Sequence, residues 1–208
     1  MNSNYKVLKF RSDVSKEVDD QISIEEPLEI ILKYKDKKNW VKKTISITMR
    51  TPGDDEDLVR GFLFNEKVIE KIEYIENIEL SGEEVGQYKL KNKAIVTINN
   101  LENIDIDKIK RNFLTNSSCG VCGKTSLDSL EIIKKDKIIK SMPKINSEII
   151  MKSPDTLRQN QSEFSQTGGI HASGLFNASG KIIAVKEDVG RHNALDKLIG
   201  YILKKKLL

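Results

Sequence analysis

Apolar and β-branched residues dominate two runs, Pro27 to Lys35 (PLEIILKYK) and Val41 to Arg50 (VKKTISITMR), and the polar DKKNW between them predicts a hairpin. A third strand is expected at Lys93 to Ile98 (KAIVTI). After Thr51-Pro-Gly-Asp-Asp the spacing changes: Leu58 with Phe62, and Val59 with Leu63, recur at helical intervals behind an acidic first turn that suits the helix dipole. These elements predict a small, β-rich α+β lobe over residues 1–100.

The second half, 101–208, predicts an α/β lobe. Asn100 to Lys110 is polar with a helical pattern, and Thr115 to Gly123 is rich in hydroxyl residues and glycine, which predicts a loop. Ser153-Pro154-Asp155 reads as the N-cap, N1 proline and acidic first turn of a helix running toward Phe164 and closed by Thr167-Gly168-Gly169. From Ile170 a hairpin is expected: IHASGLF, a turn at Asn177 to Gly180, then KIIAVKED. A helix starts at Val189-Gly190-Arg191, with Leu195, Leu198, Ile199 and Ile202 on one stripe. Strand, glycine turn and helix N-terminus in succession make a geometry that can bind anions.

Composition narrows the function classes. The 208 residues carry 35 basic and 31 acidic side chains, a net charge of +4 spread along the chain, without the basic stripe that reads nucleic acid. Mixed runs such as IEKIEYIENIEL and EIIKKDKIIKS read as solvated faces. No signal peptide and no membrane-spanning apolar run is recognisable, so a cytoplasmic protein with neither membrane nor nucleic-acid partner is expected.

Only two cysteines occur, Cys119 and Cys122, in Ser118-Cys-Gly-Val-Cys-Gly-Lys124. A pair this close closes almost no loop and makes a poor structural staple, so its work is chemical. Flanking glycines leave the sulfurs open, and Lys124 with nearby amides favours the nucleophilic thiolate. The two cysteines could complete a zinc set with His171 and His192, but the histidines stand 21 positions apart and the order of ligands differs from that of zinc deaminases. No metal is expected.

Two further segments carry candidate chemistry. In Thr167-Gly168-Gly169-Ile170-His171 the paired glycines suit close approach of a ligand, while a lone histidine at a strand start is as often scaffold. In Glu187-Asp188-Val-Gly190-Arg191-His192-Asn193-Ala-Leu-Asp196-Lys197, acid, guanidinium, imidazole and amide crowd a strand end and a helix start, where ligands sit in many α/β folds.

Taken together and in this order, Ser118–Gly123, Thr167–Ala172 and Glu187–Lys197, with Met49-Arg-Thr-Pro-Gly-Asp-Asp55 and Gly61-Phe-Leu63, resemble the FdhD family of formate dehydrogenase accessory sulfurtransferases. The resemblance runs from about Pro27 to the end. It implies a C-terminal lobe similar to the cytidine deaminase fold without that enzyme's zinc chemistry, shortened here at its C-terminus relative to the family. It further implies that a cysteine desulfurase hands sulfur to Cys119 as a persulfide, with Cys122 assisting transfer or release. The acceptor implied is a bis-molybdopterin guanine dinucleotide carrying molybdenum or tungsten, held by Gly168, Gly169, His171, Asp188, Gly190, Arg191, His192 and Asn193, for delivery to formate dehydrogenase. Guanine nucleotide alone is expected to be a partial mimic. A twofold homodimer is the default assembly. The alternative reading is a thiol-redox or nucleotide-binding chaperone of a partner enzyme that transfers no sulfur.

Overall fold

The computed structural model describes residues 1–11, 14–85, 88–99 and 144–207. The expected helix at Asn100–Lys110 and the cysteine loop at Thr115–Gly123 lie outside the described residues.

Two strands, β1 (Asn2–Arg11) and β2 (Val14–Ser23), pair antiparallel from Asn2↔Ser23 to Arg11↔Val14. The pattern of apolar residues picks out neither. Both faces of this ribbon are largely exposed, Leu8 at 60% and Phe10 at 72%, so no one-sided alternation marks it. The next two are the expected hairpin, β3 (Glu26–Asp36) and β4 (Asn39–Arg50), turned by Lys37 in the left-handed region at φ 54.

β5 (Ile75–Val85) and β6 (Leu90–Ile98) complete a four-stranded sheet ordered β4-β3-β6-β5, with β3 parallel to β6 and the other pairs antiparallel. β5 occupies part of the run whose mixed charges suggested only a solvated face. One face of it is indeed polar, but Ile78 points into the core. That core lies on one side of the sheet, where Leu28, Ile30, Leu32 and Tyr34 alternate along β3 and meet Ala94, Val96 and Ile98 of β6. Helix α1 (Asp55–Asn65) covers them with Leu58, Val59 and Leu63, all at 1% exposure or less. Each such side chain contributes about 1.5–3 kcal/mol by leaving water.

Helix α2 (Ser147–Gln159) departs from expectation at its start. Asn146, not Ser153, is the N-cap, its side chain accepting the Glu148 N–H at 2.9 Å. Pro154 therefore lies inside the helix, where it removes the N–H that would reach the Ile150 carbonyl. The Ser153 hydroxyl donates to that same carbonyl at 2.8 Å and replaces the lost bond. A separate short helix, α3 (Ser162–Thr167), follows and ends on Gly168 at φ 68, as the glycine pair predicts.

The second hairpin forms as expected from β7 (His171–Phe176) and β8 (Ile182–Asp188), with Gly180 at φ 82 and the Asn177 side chain accepting the Ser179 and Lys181 amides. Helix α4 (Arg191–Lys205) packs on both strands and, most extensively, on α1. The two helices meet through Gly61 and Gly200. A Cβ on Gly61 would overlap the Asp196 carbonyl, and one on Gly200 would overlap the Asp57 carbonyl.

This crossing sets which residues of α4 face inward. They are Ala194, Lys197, Leu198, Gly200 and Ile202, whereas Leu195, expected on the buried stripe, is 46% exposed. Among the described residues no helix is long and apolar enough to cross a membrane.

Candidate anion-binding site at the β8–α4 junction

Antiparallel pairing brings two of the three sequence segments together. His171 opens β7 opposite Asp188, which closes β8, so Gly168–His171 and Asp188–Asn193 lie at the same end of the ribbon. Glu187 ties them more directly. Its carboxylate accepts the Glu163 and Phe164 amides at 3.0 and 2.9 Å and the Ser162 hydroxyl at 3.3 Å, capping α3, the helix that delivers Gly168.

The residues of the Glu187–Lys197 segment divide into two groups. Asp188 is wholly buried, and its oxygens meet the Lys197 ammonium at 2.7 Å, the Thr51 N–H at 3.1 Å, the Gly190 N–H at 2.8 Å and the Asn193 amide at 3.1 Å. Asn193 also donates to the Met49 carbonyl at 2.7 Å and accepts the Thr48 hydroxyl at 3.1 Å. Gly190 has a close packing role, since a Cβ there would stand 3.0 Å from the Asn193 amide nitrogen. Asp188 and Asn193 thereby join the junction to the end of β4, with Gly190 packed between them.

The other group faces outward. Gly168, Gly169, His171, Arg191 and His192 are all exposed. Nothing approaches a Cβ on Gly168 within 4 Å, and Gly169 would meet only the Thr167 carbonyl at 3.9 Å, so the fold does not itself crowd this pair. Cys119 and Cys122 lie outside the described residues.

The electrostatics of the junction favour an anion. Among the described residues no side chain caps α4, whose N-cap is Gly190, and its first turn holds no acid, so its N-terminal dipole is not neutralised from within the helix. Arg191 stands in that first turn beside His192, where its charge opposes the dipole and an acid would stabilise it. Asp188, which accepts the Gly190 N–H, is already paired with Lys197. Further along α4, Asp196 is held at 2.6 Å by the Asn65 amide, yet burial pushes its carboxyl up to about 7, with Glu66 and Asp188 adding to the rise.

Sequence reasoning named Lys197 and Thr51 only within longer motifs, without a role at this junction, and Thr48 only within a strand. The available signal was Lys197 itself, a lysine on the same helical face as Ala194 and Leu198 that demands a buried partner. Thr51 offers no such signal, because its partners are 137 to 146 residues away.

The sequence profile of the FdhD/NarQ family matches residues 23–208. The Sulfur carrier protein FdhD of Sulfolobus acidocaldarius is 36% identical over 203 residues, 98% of this chain and 70% of the relative. That of Picrophilus torridus is 41% identical over 189 residues, 90% of this chain and 66% of the relative. That of Streptomyces coelicolor is 39% identical over 203 residues, covering 96% and 68%. The chain thus spans about two thirds of the length of these relatives. The crystal structure of a formate dehydrogenase accessory protein from Desulfotalea psychrophila shares the fold, with a TM-score of 0.63 at 24% identity over 99% of this chain and 70% of that one.

Proposed function

The chain belongs to the FdhD/NarQ family, and we propose that it is a sulfur carrier for formate dehydrogenase, working in the cytoplasm between a cysteine desulfurase and a bis-molybdopterin guanine dinucleotide. In this reading Cys119 attacks the outer sulfur of the desulfurase persulfide. The sulfur–sulfur bond of the donor breaks, its thiolate leaves, and the sulfur remains on Cys119 as a new persulfide. Once the cofactor is bound, Cys122 attacks the inner sulfur of that persulfide, forming a Cys119–Cys122 disulfide and expelling hydrosulfide to the cofactor. A thiol reductant restores the pair for the next cycle. The two electrons that reduce the sulfur come from the two cysteines, so the step balances.

The observation that carries the substrate half of the reading is the start of α4. A helix N-terminus that begins at Gly190 and carries exposed Arg191 and His192, beside exposed His171 and the open Gly168–Gly169 pair, suits the phosphates of a dinucleotide. Asp188, Gly190 and Asn193 serve that site by fixing its backbone. We assign the β8–α4 junction to a C-terminal α/β lobe (101–208) related to the cytidine deaminase fold, and the four-stranded sheet to an N-terminal lobe (1–100).

The test is to incubate the purified chain with a cysteine desulfurase and labelled cysteine, then locate the label by mass spectrometry. Label on Cys119 that is discharged only when the dinucleotide cofactor is supplied supports the proposal. A chain that binds the cofactor and activates formate dehydrogenase while never acquiring sulfur is a chaperone, and the proposal fails.

A further inference from the structure

We infer that Thr51, on the far side of the sequence from the junction, is a positioning residue for the anion-receiving turn Gly190–Asn193. The inference rests on the reading of that turn as the phosphate acceptor and adds to it a residue that cannot touch substrate, since Thr51 is only 3% exposed.

Every polar group of Thr51 is committed to the junction. Its N–H donates to Asp188 Oδ2 at 3.1 Å, its hydroxyl accepts the Val189 N–H at 3.1 Å, and its carbonyl accepts the Lys197 ammonium at 2.7 Å. One residue therefore holds the end of β8, the residue that leads into the turn and the second helical turn of α4. Lys197 closes the arrangement. Its three protons reach the Thr51 carbonyl, the Glu187 carbonyl at 3.3 Å and the Asp188 carboxylate at 2.7 Å, which satisfies the ammonium without water.

Thr51 is itself immobilised by its neighbour. Arg50, 1% exposed, grips Asp55 through two nitrogens at 2.9 and 3.1 Å and donates to the Glu26 carbonyl at 3.0 Å. The turn is thus anchored to the four-stranded sheet and to the start of α1 rather than only to its own two-stranded ribbon, which alone is a weak support. A phosphate drawing on the first turn of α4 loads the sheet, and the amides and cations of the turn meet it already in place. Such preorganisation is worth affinity that no direct contact supplies.

The experiment uses the full chain and two Thr51 variants. Thr51→Val removes the hydroxyl acceptor at nearly constant volume, and Thr51→Ser restores it. Amide hydrogen exchange at residues 189–194 and binding of GDP, used as the phosphate-bearing probe, are the two readouts. Thr51→Val is expected to speed exchange at 189–194 and to weaken GDP binding by about tenfold, the scale of one lost hydrogen bond, while Thr51→Ser recovers both. Exchange and affinity unchanged in Thr51→Val overturn the inference. So does faster exchange spread equally over β3, β4 and α1, which is the mark of a merely structural residue.

If Thr51→Val does not fold, Thr51→Ala replaces it: it removes the same hydroxyl without placing a methyl against the Val189 amide, and the same two readouts apply. If the parent itself does not bind GDP, the assignment of the turn to a guanine nucleotide fails. Exchange then decides for Thr51 alone: acceleration confined to 189–194 supports its positioning role, and none overturns it.

Discussion

The Lys197 ammonium sits 2.7 Å from the Asp188 carboxylate, with the two side chains 2% and 0% exposed. Such a pair adds little over a well-packed apolar pair, but removing one partner strands the other charge in the interior. Lys197→Met is therefore expected to destabilise the chain by about 3–5 kcal/mol, measured by urea unfolding. Asp188→Asn combined with Lys197→Met should cost less than the sum of the two single changes, because neither charge is then left alone. Additive losses would show that the pair is not coupled.

The Gly61–Gly200 crossing gives a prediction whose sign runs against propensity. Alanine in place of a mid-helix glycine ordinarily gains up to about 1 kcal/mol. Here the added methyl overlaps a backbone carbonyl of the opposing helix, Asp196 for Gly61 and Asp57 for Gly200, and backbone cannot swing aside. Gly61→Ala and Gly200→Ala should each lower stability by about 1–3 kcal/mol or more, with a corresponding drop in the thermal midpoint. Gly169→Ala is the control: with open space around it, stability should stay within about 0.5 kcal/mol while guanine nucleotide binding weakens.

What the sequence made legible follows from what is local. The β3–β4 hairpin, α1, the β7–β8 hairpin with its Asn177–Gly180 turn, and the stop at Gly168 each declare themselves within a dozen residues, through periodicity or turn chemistry. The candidate site was legible as composition but not as roles. Asp188, Gly190 and Asn193 looked like ligand contacts as much as Arg191 and His192 did, because a sequence does not show that Asp188 and Asn193 find partners in Thr48, Met49 and Thr51 and that Gly190 packs against both of them. The helix start near Ser153 was misplaced for a related reason. Ser-Pro-Asp is a sound N-terminal signature, and only the Ser153 hydroxyl on the Ile150 carbonyl lets the helix run through it.

Asp196 makes stability depend on pH. Its carboxyl is raised from 3.8 to about 7, chiefly by burial, so the folded state prefers the protonated form. The associated stability is complete below about pH 4 and is lost as pH rises through about 7, a change of at most ~4 kcal/mol. Asp196→Asn removes this dependence, keeping an acceptor for the Asn65 amide. The variant should therefore be more stable than the parent at pH 8 and nearly equal to it at pH 4, as read by denaturant midpoints at the two values. A parent whose stability rises between pH 4 and pH 7 by as much as the variant's would contradict the assignment.

Arg191 and the cysteines serve different partners and should fail separately. Arg191→Ala is expected to weaken guanine nucleotide binding by about tenfold or more, since a charged hydrogen bond to phosphate is worth about 1.5–3 kcal/mol. Sulfur loading on Cys119 should be unchanged, and the GDP affinity of the parent should fall with added salt more steeply than that of the variant.

The two cysteines should be separable by the order in which their defects appear. Cys119→Ala removes the nucleophile, so a desulfurase has no thiolate to load and no label should appear on the chain. Cys122→Ala keeps that nucleophile and should load sulfur but release it slowly, because no neighbouring thiol remains to attack the inner sulfur and expel hydrosulfide. Labelled cysteine with mass spectrometry reads the first step, and reactivation of sulfur-deficient formate dehydrogenase reads the second. Normal loading on Cys119→Ala with none on Cys122→Ala would exchange the two roles. If both variants reactivate the dehydrogenase as the parent does, the relay is excluded and the chain serves its partner by binding alone.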